Sequence, residues 1–479
     1  MKSETSSLSA EEQNRDYALQ FRRFLDKPAV EAKLLLCAIA STSAHVQMLH
    51  QTGILPENKA ERILAALTAL KAATKSEIAV ILPADGDVYD TIDRRLSAVL
   101  DPEDVLLIRT AKSKNDQTST DTRLYLREEV LKLTEQLLNL RALLIGLAER
   151  DIEVVMPGYT HMQPAEAILL SHWWMMNESR FARDFARLLE LFARMNLLPL
   201  GACVMAGTKE PIDRYIVARL LGFDDLIQNS LDSVTDRDYQ IEFAAAASLT
   251  GLHLSQIGSE LLLWATQEYG FILLPRHLVV DSHNMPLKRN PELLEVLRAR
   301  PALIFGRLME FVAELKAVPT GFSQDLQESI PGLADVVETL RLLLELASGI
   351  LPGIEPDQRR MREVACADLV NVSNALDYLL ARGYEKHEAV KALEKLSTYC
   401  RARNKYLSDL SLSEWQQFAP AFENDIYDHV AMEQSIGAYC SFGGSSTEQV
   451  ELALARAKEV LQNDRTRLME QRNKVPLLL

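Results

Sequence analysis

From Val234 to about Gln267 the chain carries a single helical pattern. At about 1.5 Å per residue, a helix of that length spans roughly 50 Å. A rod of this size outgrows a compact single-domain bundle, so its apolar stripe must be covered by other long elements. Such elements are present. Helical patterns run from Val30 to His50, up to about Arg150 from a polar start near residue 113, from Glu292 to Ala317 and from Leu333 to Leu351. Gly and Pro number only 19 and 18 in 479 residues, which favours helix throughout. The expected fold is all-α in three parts. These are an N-terminal helical domain over 1–110, a central bundle of long helices over 111–352, and a C-terminal helical domain over 353–479. The second boundary is the break at Leu351-Pro352-Gly353.

Charge and cysteine usage narrow the function classes. A net charge of −15 argues against nucleic acid or an anionic membrane as partner. It also means that an anionic substrate needs a local cluster of donors. The five cysteines include no CxxC pair, and they read as reduced thiols of a cytoplasmic protein. No ligand cluster with metal spacing and no cofactor motif is visible, so neither a metal nor a cofactor is expected.

Five polar stretches interrupt the helices. Asp281-Ser282-His283-Asn284-Met285-Pro286-Leu287-Lys288-Arg289-Asn290-Pro291 sets a hydroxyl, a cation and an amide on one loop. Those groups suit holding an anion and moving a proton beside it. Taken alone, an ordinary helix-to-helix connection is the better account. In Lys112-Ser113-Lys114-Asn115-Asp116-Gln117-Thr118, either an anion cradle at a helix start or plain capping by Asn115 or Asp116 fits the residues. Met156-Pro157-Gly158-Tyr159-Thr160-His161-Met162-Gln163-Pro164 offers a Thr-His pair before a long apolar helix. Arg237, in the stretch 229–239, is either a substrate cation or half of an ion pair with Asp236 or Asp238. The fifth stretch is Pro319-Thr320-Gly321-Phe322-Ser323-Gln324-Asp325-Leu326-Gln327-Glu328.

Together these stretches resemble the argininosuccinate lyase family of the fumarase/aspartase superfamily. Ser282, Met285, Pro286, Lys288, Asn290 and Pro291 match the superfamily signature, with Asp281 in place of a glycine and His283 in place of a serine. Lysines 112 and 114 replace two arginines, which keeps the charge and loses the bidentate fork. Tyr89, Ile92, Phe322 and Gln324 stand where the family has other polar groups.

The resemblance implies a three-domain fold, a homotetramer and active sites shared between subunits. It implies release of fumarate from an N-substituted aspartate. In that reading Ser282 is the base, Lys288 and Asn290 hold the carboxylate, and His161 with Glu295 serves proton transfer. Thr160, Ser113 and Asn115 bind the fumarate end and Gln327 the amine end. Three readings compete: an argininosuccinate lyase, a sister lyase acting on a different N-succinyl amine, and a catalytically silent scaffold of the lens-crystallin kind. Ser282, His161 and Lys288 standing together argue against the third.

Overall fold

The structure is a computed structural model that describes residues 28–76, 87–285, 287–366, 372–403 and 405–476. Pro286 of the signature stretch lies outside these. Helices α1 (Pro28–Gln51), α2 (Glu57–Ser76) and α3 (Val88–Ser97) lead to α4 (Lys114–Arg150). After α4 come strands β1 (Val155–Thr160) and β2 (Gln163–Leu169), then α5 (Leu170–Met195) and α6 (Asp238–Trp264). Strands β3 (Val280–Asp281) and β4 (Arg289–Asn290) precede α7 (Glu292–Ala299), α8 (Pro301–Leu315), α9 (Asp325–Ile350) and α10 (Gln358–Ala365). Toward the C-terminus, α11 (Met432–Gly437) and α12 (Thr447–Lys474) complete the elements used below. The fold is all-α, with the strands of the described residues confined to two-stranded pairs.

Local chemistry explains where the rods begin and break. Helix α4 starts at Ser113, whose hydroxyl accepts the Asn115 amide while Asp116 accepts the Ser113 amide at 3.0 Å, a reciprocal capping box. Ser113, and not Asn115 or Asp116, is therefore the cap. The helix expected from Val234 begins as a short turn capped by Asn229 and restarts at Asp238, so the rod has 27 residues and measures about 40 Å. The helix expected over Glu292–Ala317 divides at Arg300, because Pro301 lacks the amide that would continue α7.

Two connections expected between helices are β-hairpins. His161 and Met162 have φ of 51° and 60° between paired Thr160 and Gln163. Left-handed backbone at both central residues is the turn whose twist matches two antiparallel strands. The long helix consequently starts at Leu170, beyond β2. The signature stretch closes in the same manner, with Val280 opposite Asn290 and Asp281 opposite Arg289.

One core runs from Leu34 to Val475, and a second, smaller one occupies residues 375–430. The segment expected as a C-terminal domain over 353–479 is thus mixed. Its residues 375–430 pack on themselves around Tyr378, Trp415 and Phe422, whereas α12 lies against α4 and α5. Arg141 locks that contact. It is fully buried, and it donates to Glu178 on α5 at 2.9 Å and to Asp464 on α12 at 2.7 Å. Removing one member of a buried charge cluster strands the others. Arg141→Leu should therefore destabilise the protein by about 3–5 kcal/mol in urea melts. Replacing Glu178 and Asp464 by apolar residues as well should recover much of that loss. An unchanged midpoint in the single variant would show that the cluster carries no stability.

Candidate active site

The residues singled out in the sequence fall into two groups at opposite ends of the central rods. At the first end, three helix starts meet. Gln327, in the first turn of α9, donates to the Thr118 hydroxyl of α4 at 3.3 Å. Arg237, at the start of α6, donates to the Leu326 carbonyl at 3.2 Å. Ser113 and Asn115 sit one turn before Thr118. Helix N-termini concentrate unpaired amides and positive dipole ends, so this corner suits an anion.

Arg237 is almost wholly buried, and its guanidinium donates to the main-chain carbonyls of Asp236 and Val234 as well as Leu326. It makes no side-chain ion pair with Asp236 or Asp238. Arg123 makes the ion pair with Asp236 instead. Asn115 reaches the Val204 carbonyl at 3.0 Å, and Asp116 accepts the Gly201 and Cys203 amides at 2.8 and 2.7 Å. Both therefore shape the 201–208 loop over the corner.

A cavity of about 280 Å³ opens beside Ser113, lined by Thr42, Tyr89, Lys112 and Gln117 among others. Lys112 and Gln117 both donate to the Thr42 hydroxyl, at 3.2 and 3.0 Å. Arg109 and Lys114 on its rim are paired with Asp93 and Asp87. Tyr89 packs as part of the wall, while Ile92 is a core residue 3% exposed.

Behind the cavity lies a carboxylate that sequence reasoning missed. Asp121 is fully buried, and neither oxygen has a hydrogen bond of ordinary geometry among the described residues. Burial pushes its carboxyl up to about 7, opposed by the Ser41 hydroxyl, the Lys112 ammonium and the Tyr89 hydroxyl. Burial likewise lowers Lys112 to about 8, while Asp121, Asp116 and Asp93 hold it up. His45, behind them on α1, bonds the Thr110 carbonyl at 2.8 Å and is driven down to about 3 by burial and then by Lys112, so it stays neutral. Nothing in Thr118-Ser119-Thr120-Asp121-Thr122 signals burial, since the run reads as a solvent face, yet all five are buried.

The second end carries Thr160 and His161 at the tip of the β1–β2 hairpin, both exposed. This hairpin comes after the C-terminus of α4, and its Tyr159 ring packs on Tyr269 and Phe271 just beyond the end of α6. The signature hairpin lies on the same side, because α7 runs back along α6. The Ser255 hydroxyl donates to the Arg298 carbonyl at 2.9 Å, and Gly258 leaves room for the Leu294 carbonyl.

Ser282 is half-buried; its amide donates to the Lys288 carbonyl at 3.1 Å and its hydroxyl accepts the Met285 amide at 3.2 Å. Lys288 and Glu295 are exposed and Asn290 is half-buried. Asp281, which stands in place of the family glycine, is turned to Arg276 at 2.8 Å. The structure thus gathers Ser113, Asn115, Gln327 and Arg237 at one end. Thr160, His161, Ser282, Lys288, Asn290 and Glu295 lie toward the other. Among the described residues, no group of three or more His, Cys, Asp or Glu side chains is placed to hold a metal ion.

Asp121 sets a pH dependence. Its folded pKa lies above the ordinary 3.8, so its contribution to stability is fullest below about pH 4 and is lost as pH rises through 7. Asp121→Asn should therefore raise the unfolding temperature, relative to the unmodified protein, by more at pH 7.5 than at pH 5. Equal shifts at both pH values would mean that the carboxyl titrates normally.

Known proteins match this chain across the same stretches. A family model described as Lyase matches residues 12–306, and one described as Argininosuccinate lyase C-terminal matches 370–437. The chain is 39% identical to an argininosuccinate lyase of Synechococcus sp. (strain JA-3-3Ab), over 91% of this chain and 89% of that one. It is 37% identical to an argininosuccinate lyase of Nostoc sp. (strain PCC 7120 / SAG 25.82 / UTEX 2576), over 90% of this chain and 93% of that one. Among solved structures, an EDDS lyase in complex with formate superimposes with a TM-score of 0.82 at 25% identity, covering 96% of this chain and 92% of that one. A class II fumarase from Schistosoma mansoni, at 15% identity and a TM-score of 0.71 over 88% of this chain and 94% of that one, shares the fold.

Proposed function

This chain belongs to the argininosuccinate lyase family, and we infer that it cleaves argininosuccinate to arginine and fumarate by β-elimination. Identity of 37–39% to argininosuccinate lyases over about nine-tenths of the chain carries this reading. It places the enzyme in arginine biosynthesis, and five cysteines with no CxxC pair fit a cytoplasmic setting.

The chemical difficulty is a weakly acidic proton on the carbon next to a carboxylate. Ser282 takes it as base. The Met285 amide 3.2 Å from its oxygen favours the ionised form, as does the nearby Lys288 cation. The electron pair passes into an aci-carboxylate that carries extra negative charge, and Lys288 and Asn290 stabilise it. As the carbon–nitrogen bond breaks, the amine leaves with a proton delivered through a group or water oriented by His161, with Glu295 polarising it. Ser113, Asn115 and Thr160 hold the fumarate end. Gln327 meets the amine, and Arg237 adds positive charge to the corner.

These groups cannot meet within one chain, because α6 alone separates the two ends by about 40 Å. We take the enzyme to be a homotetramer with sites shared between subunits. Exposed apolar side chains support this. Leu249 and Leu252 of α6, Phe305 and Met309 of α8, and Leu342 of α9 face outward, as do Met285 and Leu287 beside Ser282. Ser282→Ala and His161→Ala should each lower kcat by roughly 10²–10⁴-fold, and mixing the two variants should restore part of the activity. No recovery after verified subunit exchange would refute the shared site.

A second reading concerns the amine. Phe322 brings no hydroxyl, Gln324 brings no charge and lies within 3.4 Å of Glu328, and Ile92 is spent on the core. A buried polar group left unmatched costs about 1–3 kcal/mol, so such a pocket discriminates differently among N-succinyl amines. Fumarate formation, read by ultraviolet absorbance, should then favour another N-substituted aspartate over argininosuccinate. Efficient cleavage of argininosuccinate with none of the others would leave the first reading alone.

A further inference from the structure

We propose that Tyr439 is a positioning residue for the hairpin that carries Thr160 and His161, and that the Gly443-Gly444 turn holds it in place. The inference rests on the reading of His161 given above. Residues Thr160 to Gln163 are exposed, so the tip has few contacts of its own to set its direction. It also carries strain, because His161 and Met162 both occupy left-handed backbone that side chains with a Cβ disfavour. Whatever aims it must act lower down the strands.

The pairing supplies such a point. Gly158 pairs with Glu166 but Tyr159 pairs with Pro164, which leaves Ala165 as an extra residue in β2. A bulge of this kind bends its strand and redirects the neighbouring residues. The contact from the C-terminal region falls on the residue next to it. The Tyr439 hydroxyl donates to the Glu166 carboxylate, and α11 packs against β2. Helix α10 packs against both β1 and β2. At Gly158 the backbones are already tight, since a Cβ there would stand 3.1 Å from the Glu166 carbonyl oxygen. The bulged hairpin is therefore held by contacts from both α10 and α11.

Tyr439 is itself fixed. Gly443 has a φ of 78°, and Gly444 lies so close to the Tyr439 carbonyl that a Cβ would be 2.1 Å from its oxygen. Only glycine fits that approach, which gives the Gly443-Gly444 pair a role. Burial and the neighbouring carboxylates of Glu166 and Asp377 hold the Tyr439 phenol well above its ordinary pKa, so it remains a neutral donor. The line of support runs from the turn before α12, through Tyr439 and Glu166, to the bulge and the His161 tip.

The test compares Tyr439→Phe, Glu166→Ala, Glu166→Gln and the double variant Tyr439→Phe/Glu166→Ala, with His161→Ala as reference. All are assayed as assembled full-length enzyme, with active protein normalised to folded protein. Loss of one orienting hydrogen bond should lower kcat about three- to tenfold in Tyr439→Phe and Glu166→Ala, with KM and unfolding temperature little changed. Glu166→Gln keeps an acceptor oxygen and should retain most of kcat. The double variant should be no slower than either single one. Unchanged kcat in Tyr439→Phe with an inactive His161→Ala overturns the inference alone. A loss that only tracks a lowered unfolding temperature also overturns it. Full activity in His161→Ala would remove the assignment of His161 and the inference with it.

Discussion

Helix α4 is buried along most of its length, and the rest of the molecule is built around that constraint. Helices α1, α5, α9 and α12 all lie against it. Over residues 116–131 the helix is covered on every side, so its polar groups there must be satisfied from within the protein. Arg127 is met by the Leu221 and Gly222 carbonyls and the Asn196 side chain, which ties the 196–222 segment to the axis. Arg123 is met by Asp236, Asp116 by main-chain amides, and Arg141 by carboxylates from α5 and α12. Each partner fixes a separate part of the chain, so the same polar contacts that satisfy α4 also place the loops at its two ends.

The long rods were legible because apolar periodicity over twenty or more residues has few alternative explanations. Their covering was not. Nothing local marks the first half of α4 as buried all round, since its small polar residues would suit a solvent face equally well. The Val155–Leu169 hairpin was hidden for another reason. Thr160-His161-Met162-Gln163 contains none of the Gly or Asn residues that usually announce left-handed backbone, and the pairing alone imposes it. The return of α12 to the central core was equally invisible, because its partner residues lie hundreds of positions earlier.

The candidate site was legible as a set of chemical groups and not as geometry. Ser282, Lys288 and Asn290 share one short stretch, and so do Ser113 and Asn115, so their mutual nearness needs no tertiary information. That Gln327 and Arg237 join Ser113 depends on three helix starts meeting at one corner. Asp121 escaped notice because its importance comes wholly from burial, which turns an ordinary carboxylate into a group that titrates near neutrality. Arg237, by contrast, was noticed for its charge, and the structure shows that charge also tying three carbonyls together.

The contact between Arg141 and Asp464 joins positions 323 residues apart. On a ribosome adding about 5–20 residues per second, the guanidinium waits roughly 16–65 s for its second carboxylate. Through that interval one flank of α4 lacks the helix that covers it, and the nascent chain presents an apolar groove with the Arg141–Glu178 pair at its edge. Such a surface is what chaperones bind. The closure that makes the native axis dry therefore obliges the growing polypeptide to stay shielded for most of its synthesis.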